Sequence, residues 1–284
     1  MRLGVIVLAA VAVSSAAFAA SEPRQPTGKW IVNFDDAQCI ATRNYGSEED
    51  PIYLVLKAPA IGDMLQIGIV RKGSTSEPSQ AEGEIVFDNA PPIATNLLQF
   101  SGRKTNQKAL TTNLPRDKLA PMLQAKSIRI RAKVTGTAKL GSHIEKGTSY
   151  ADEQLSLSQI PALLKTLDQC ATDLRNVWRV WDEKEHATDL KEGPSGNVTN
   201  LFDPDDYPAV ALMKEQMGTV AFVLLIDEQG KVADCTVIQT SGVAALDAQS
   251  CGIVKTRAKF KPAIRNDGLP AKSAFFQRIT WRLE

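Results

Sequence analysis

Between Glu183 and Asp203 the chain reads EKEHATDLKEGPSGNVTNLFD, where charged and turn-forming residues dominate and no apolar period survives. Gly193-Pro194-Ser195-Gly196 interrupts helix and strand alike, because glycine admits left-handed backbone and proline lacks a donor. Such a stretch does not build a core, so two folding units are expected on either side of a linker. The length agrees: 284 residues against roughly 150 per domain gives about two. The expected organisation is a leader over 1–20, a β-rich unit over 21–182, the linker over 183–202 and a compact unit over 203–284. At 43% hydrophobic and 23% charged, the composition is globular. The 33 basic residues nearly cancel the 32 acidic ones, so the field that would draw the chain to nucleic acid is missing. His143 and His186 are the two histidines, which leaves little material for a metal site or imidazole chemistry, and no cofactor or metal is expected.

Arg2, the apolar run Leu3–Val13 and the small residues Ala17-Phe18-Ala19-Ala20 follow the order of a secretory signal peptide, with cleavage expected before Ser21. An inner-membrane anchor is the competing reading, and Ser14, Ser15 and the Ala-Phe-Ala step favour cleavage. The expected location is therefore the periplasm. Four cysteines fit an oxidising compartment and favour bridges over free thiols. They allow three pairings. If the two halves fold separately, Cys39 pairs with Cys170 and Cys235 with Cys251. Zinc is the weaker alternative, since no C-x-x-C spacing exists and neither histidine is near a cysteine in sequence.

In the first unit Trp30, Val32 and Phe34 alternate with Lys29, Ile31 and Asn33, and Leu65, Ile67 and Ile69 recur at period two. From Ser127 to Val134 the residues Ile128, Ile130, Ala132 and Val134 oppose Arg129, Arg131 and Lys133, a strand with one buried and one wet face. The basic stripe reads either as an anion contact or as a solvated face that discourages edge pairing. A helix follows, with Ser158 as its expected N-cap, Pro161 in the first turn and an apolar stripe Ile160, Leu164, Leu167, Ala171, Leu174. The unit is thus read as β-rich and closed by one helix.

The second unit opens on Tyr207-Pro208 and a helix expected over Ala209–Gln216, stopped at Gly218. Thr219–Ile226 reads TVAFVLLI, apolar on both faces. The turn Asp227-Glu228-Gln229-Gly230 then leads to a second strand over Lys231–Gln239, with Ala233, Cys235 and Val237 on one face and Val232, Asp234, Thr236 and Ile238 on the other. Ser241-Gly242 introduces a helix marked by Leu246, Ser250, Ile253, Val254 and Arg257. After Phe260-Lys261-Pro262-Ala263 and the Asn266-Asp267-Gly268 turn comes a final strand with Phe275, Ile279, Trp281 and Leu283 on one side.

This order of helix, hairpin, helix and strand resembles the C-terminal domain of TonB. The resemblance rests on Tyr207-Pro208, Gly218-Thr219-Val220, Asp227 to Gly230, Ser241-Gly242 before Leu246-Asp247, Phe260-x-Pro262-Ala263 and Gly268. It implies an α+β chain whose second unit carries a three-stranded antiparallel sheet. It also implies a binding module, not an enzyme: a receptor's Ton box adds as an extra strand beside the C-terminal strand, expected over Ala271–Leu283. The partner-binding residues it implies are Tyr207, Pro208 and an exposed face made of Ala274, Phe276, Arg278 and Thr280. Neither a permanent anchor nor a long proline-rich spacer is read in the chain. The expected function is therefore that of a periplasmic TonB-like adaptor for an outer-membrane transporter or another envelope protein, with a homodimer through the same edge as a further outcome. The alternative is a periplasmic binding protein whose β-rich unit carries recognition. A hydrolase reading rests on Ser101-Gly-Arg-Lys104 alone, a loose S-x-x-K tetrad without companions.

Overall fold

A computed structural model describes residues 22–34, 36–74, 79–101, 106–140, 143–180 and 188–283. The leader expected over 1–20, His186 and Lys104 lie outside the described residues. The fold is α+β, with a large antiparallel sheet in the first half and smaller sheets in the second.

Nine strands form the first sheet: β1 (Ile31–Phe34), β2 (Cys39–Asn44), β3 (Ile52–Ala58), β4 (Met64–Lys72), β5 (Ser79–Phe87), β6 (Ile93–Ser101), β7 (Gln107–Pro115), β8 (Ser127–Leu140) and β9 (His143–Ser156). They run in the order β1-β2-β3-β4-β7-β6-β5-β8-β9, every pair antiparallel. The sheet curls so that distant strands meet: Glu153 of β9 receives Arg71 of β4 and Arg24. Tyr45, just past β2, donates its hydroxyl to the Ser156 carbonyl at 2.7 Å, and burial pushes that phenol up to about 12. Period-two positions line the interior, among them Leu54 and Leu56 of β3, Ile67 of β4 and Ile128 and Ile130 of β8. The helix α1 (Ile160–Val177) closes the open side with Ile160, Leu163, Leu167, Cys170, Ala171 and Leu174 buried, so Leu163 replaces Leu164 in the expected stripe.

One expectation for this unit changes. The N-cap of α1 is Gln159, at φ 64°, while Ser158 turns its hydroxyl to accept from Arg43 at 2.7 Å. The basic stripe of β8 is answered by neighbouring strands: Arg129 makes two 2.6 Å bonds to Asp152 of β9, and Arg131 meets Glu84 of β5 at 2.7 Å. Those carboxylates hold Arg129 and Arg131 in place across the sheet, which supports the solvated-face reading for these two residues.

The stretch expected as a linker is structured over its second part. Leu190–Glu192 forms β10, which pairs with β13 (Ala263–Arg265), itself paired with β14 (Pro270–Ala271). Val198 is buried in the core of the second unit. Charged residues survive here because the pairing is through the main chain at the surface.

The remaining elements are α2 (Ala209–Leu212), β11 (Gly218–Ile226), β12 (Val232–Gln239), α3 (Ala244–Arg257) and β15 (Ser273–Trp281). Their sheet has the order β12-β11-β15 and is antiparallel throughout. Gly230 closes the β11–β12 hairpin at φ +78°, with its position hard against the Phe260 carbonyl, so a side chain fits neither the backbone nor the space. Helix α2 is shorter than expected, and Gly218 begins β11. The alternation expected in β12 is broken by register shifts at both ends of its pairing with β11. As a result Val232, Cys235 and Val237 face α3, while Ala233 and Ile238 turn toward the first unit.

Both disulfides join the expected partners, Cys39–Cys170 closing a separation of 131 residues and Cys235–Cys251 one of 16. The first pins α1 to β2, the second α3 to β12. The apolar character of both faces of β11 also finds its reason. Val220, Phe222, Leu224 and Ile226 pack under α3, and Val223 and Leu225 belong to the core of the first unit. The second sheet is therefore covered on both faces, one of them by the other half of the chain.

Candidate functional site

The last strand is the outermost of its sheet. All nine residues of β15 pair with β11 in one unbroken register, from Ser273 opposite Ile226 to Trp281 opposite Gly218. Its other side has no strand partner among the described residues. An edge of this kind presents a row of main-chain donors and acceptors to an extended peptide.

Successive side chains of β15 alternate between two environments. On the α3 side, Phe275 stacks edge-on against Phe260 with centroids 4.9 Å apart, and Ile279 joins the same cluster. Trp281 donates its indole N–H to the Ser250 hydroxyl of α3 at 2.9 Å. Toward the first unit point Ala274, Phe276, Arg278 and Thr280, the face expected to be exposed. The structure corrects half of that expectation. Ala274 and Phe276 are half-buried against the core of the first unit, whereas Arg278 and Thr280 are exposed. The cause is the cross-strand partners: Leu225 and Val223, opposite Ala274 and Phe276, are apolar and drawn under the first unit. Thr280 meets Thr219, and their hydroxyls lie 2.9 Å apart.

Tyr207 and Pro208 stand at the Trp281 end of the strand. The Tyr207 ring meets Trp281 edge-on at 5.2 Å, with Phe202 doing the same at 5.6 Å. The Tyr207 hydroxyl donates to the Gln216 carbonyl at 2.6 Å, and burial raises its pKa above that of an ordinary phenol. Pro208 caps α2. The approach to this pair is fixed by Asp206, whose two carboxylate oxygens accept from Arg257 at 2.6 and 2.7 Å while one also accepts the Asp203 N–H at 2.8 Å. The guanidinium holds the Asp206 carboxyl below the usual carboxylate range. Tyr207 is thus a brace between α2, β11 and the last strand, and an interaction with a partner has to coexist with that role.

A second polar node joins the two halves. Asp234 of β12 is buried and accepts from Lys57 of β3 at 3.2 Å, from Lys255 of α3 at 3.2 Å and from Gln38 at 3.4 Å. Sequence reasoning placed Asp234 on a strand face without finding its partners. An acidic residue interrupting an apolar strand beside a lysine-bearing helix was the available signal.

Elsewhere the chemistry is sparse. Among the described residues no group of three or more His, Cys, Asp or Glu side chains is placed to hold a metal, and no helix is long and apolar enough to cross a membrane. Ser101 ends β6, and its tetrad partner lies outside the described residues. A cleft of about 320 Å³ beside Glu48, Glu49 and Lys72 gathers groups of mixed charge.

No curated protein matches the chain. The helix, hairpin, helix and strand of the second unit, with its outermost C-terminal strand, match the family of the Gram-negative bacterial TonB protein C-terminal over residues 203–283.

Proposed function

We propose that the chain is a periplasmic TonB-like protein that binds an outer-membrane transporter or another envelope protein by adding the partner's extended segment to β15. The observation that carries this reading is the unbroken pairing of β15 on one side and, among the described residues, no strand on the other. The family match supports an envelope role for the second unit, and the two disulfides suit an oxidising compartment. Main-chain pairing requires no nucleophile or general base, so the module acts by binding and not by catalysis.

The test places a photoreactive side chain at Thr280, exposed on the last strand, in the full chain within its native envelope. Capture of the N-terminal segment of a transporter is the expected result. Capture of a second copy alone makes β15 a dimer edge and overturns the transporter reading. Labelled amides supply the second measurement: an added segment protects β15 against exchange, and unchanged β15 amides in the presence of the captured segment refute strand addition.

A further inference from the structure

We infer that the Cys235–Cys251 bond is a thiol–disulfide exchange site, opened by a vicinal dithiol that attacks Cys251, and that opening it loosens α3 and the Trp281 end of β15. This stands apart from the strand-addition reading. The two bridges of the chain differ in access. Cys39 and Cys170 are 0% and 2% exposed, inside the core of the first unit. Cys235 is 9% exposed, and Cys251 is only partly covered. Accessible bridges are the ones that exchange with thiols in solution. The two also differ in what they hold. A bridge over 16 residues restrains the unfolded chain less than one over 131, so less stability is lost when it opens.

The helix keeps its bulk low beside Cys251. The next residue, Gly252, is exposed in the middle of α3, and a Cβ there would meet no atom within 4 Å among the described residues. Glycine inside a helix costs stability relative to alanine, and here neither a close neighbour nor a left-handed backbone requires one. An open approach to the neighbouring sulfur gives it a reason. The same helix ties several parts together. Ser250, adjacent to Cys251, accepts from the Trp281 indole at 2.9 Å. Lys255, one turn on, donates to Asp234 at 3.2 Å, and the Ala245 N–H donates to Gln80 of the first unit at 3.1 Å. The disulfide is the covalent link between this helix and its sheet.

In the exchange, a thiolate of the dithiol attacks Cys251 Sγ, the S–S bond breaks, and Cys235 leaves as a thiolate that takes up a proton. The second thiol attacks the mixed disulfide and releases Cys251. The bridge thereby gains two electrons and two protons, and the dithiol becomes a disulfide. The hydrogen bonds of α3 remain, so the helix is loosened and not detached.

The test treats the oxidised full chain with dithiothreitol, traps free thiols with iodoacetamide and locates them by peptide mass spectrometry. Labelling of Cys235 and Cys251 is expected to run roughly tenfold or more ahead of Cys39 and Cys170. Amide exchange in α3 and at Trp281 then quickens, and reoxidation restores it. Glutathione, a monothiol, is expected to be trapped as a mixed disulfide at Cys251. Gly252→Ala is expected to hold or raise the denaturant midpoint, since alanine favours helix, and to slow labelling of this pair. Equal rates at all four cysteines overturn the exchange site. Glutathione trapped at Cys235, or an undiminished rate in Gly252→Ala, overturns attack at Cys251 through the open side of the helix. Unchanged amide exchange after selective reduction overturns the loosening of α3 and β15.

Discussion

Removing the Asp234 carboxylate tests whether the two halves are one cooperative structure. In Asp234→Ala the side chains of Lys57, Lys255 and Gln38 lose the oxygens they share. The carboxylate is 3% exposed, and the two lysines are 20% and 37% exposed. Breaking a fully buried ion pair costs about 3–5 kcal/mol, because the remaining charge is left dry. Here both ammonium groups can recover water, Lys255 more fully, which lowers the cost to about 2–3 kcal/mol, in the range of one or two charge-assisted hydrogen bonds. Most of that loss falls on the contact between units, since Lys57 belongs to β3 and Asp234 to β12. Urea unfolding followed by far-ultraviolet circular dichroism and by tryptophan fluorescence is expected to give coincident curves for the parent chain. For Asp234→Ala the curves separate, the second unit unfolding first. A cycle with Lys57→Met is expected to show coupling of about 1–2 kcal/mol between positions 57 and 234. A loss below about 0.5 kcal/mol, with additive effects of the two substitutions and curves that remain superimposed, refutes the reasoning.

Three further outcomes follow from the same geometry. Replacing Cys235 and Cys251 by serine opens a separation of 16 residues and is expected to cost about 3 kcal/mol, while the Cys39 and Cys170 pair, 131 apart, costs up to about 5 kcal/mol; denaturant midpoints check the ranking. The folded Asp206 carboxyl titrates below its unfolded value, so its contribution is present above about pH 4 and lost as the pH falls through the lower folded pKa. Asp206→Asn is accordingly expected to flatten the acid limb of stability against pH, and parallel curves for the two chains between pH 7 and 2 exclude Arg257 as the cause. Tyr207→Phe removes the donor to the Gln216 carbonyl and is expected to cost about 1 kcal/mol, with peptide affinity at β15 unchanged. A loss of affinity without a loss of stability makes Tyr207 a partner contact instead of a brace.

How far the sequence reaches is seen best in the second sheet. The alternation of β15, the Asp227 to Gly230 turn and the spacing of α3 are local, and local periodicity carries them. The cysteines are equally legible once the chain is divided in two. Three features depend on partners distant in the chain. Leu190–Glu192 is a strand because Ile264 and Arg265 stand opposite it, and nothing in its own charged sequence favours that state. The faces of β12 switch at register shifts, which a strict two-residue period does not anticipate. Phe276 is covered because β11 opposite it is apolar toward the first unit. The run TVAFVLLI held that last signal, since a strand without a polar face belongs between two covers, and α3 supplies one.

With both faces occupied, recognition at this sheet is left to its edges, and the two edges are not alike. Strand β12 is irregular at both ends of its pairing, and Lys57 and Gln38 of the first unit reach across to its Asp234. Bulges and close neighbours are the devices by which an edge is closed to further strands. Strand β15 keeps one unbroken register along all nine residues and carries no bulge in its pairing with β11. In an antiparallel edge strand alternate N–H groups point toward the partner and away from it. Proline placed singly from Phe275 to Ile279 is therefore expected to act with a period of two. Where the lost N–H bonded β11, the melting temperature falls. Where it faced outward, stability holds within about 1 kcal/mol, as tolerated at sheet edges, and peptide binding is lost. If every variant that keeps its stability also keeps its affinity, the outer main chain of β15 takes no part in binding, and the partner must be held by side chains alone.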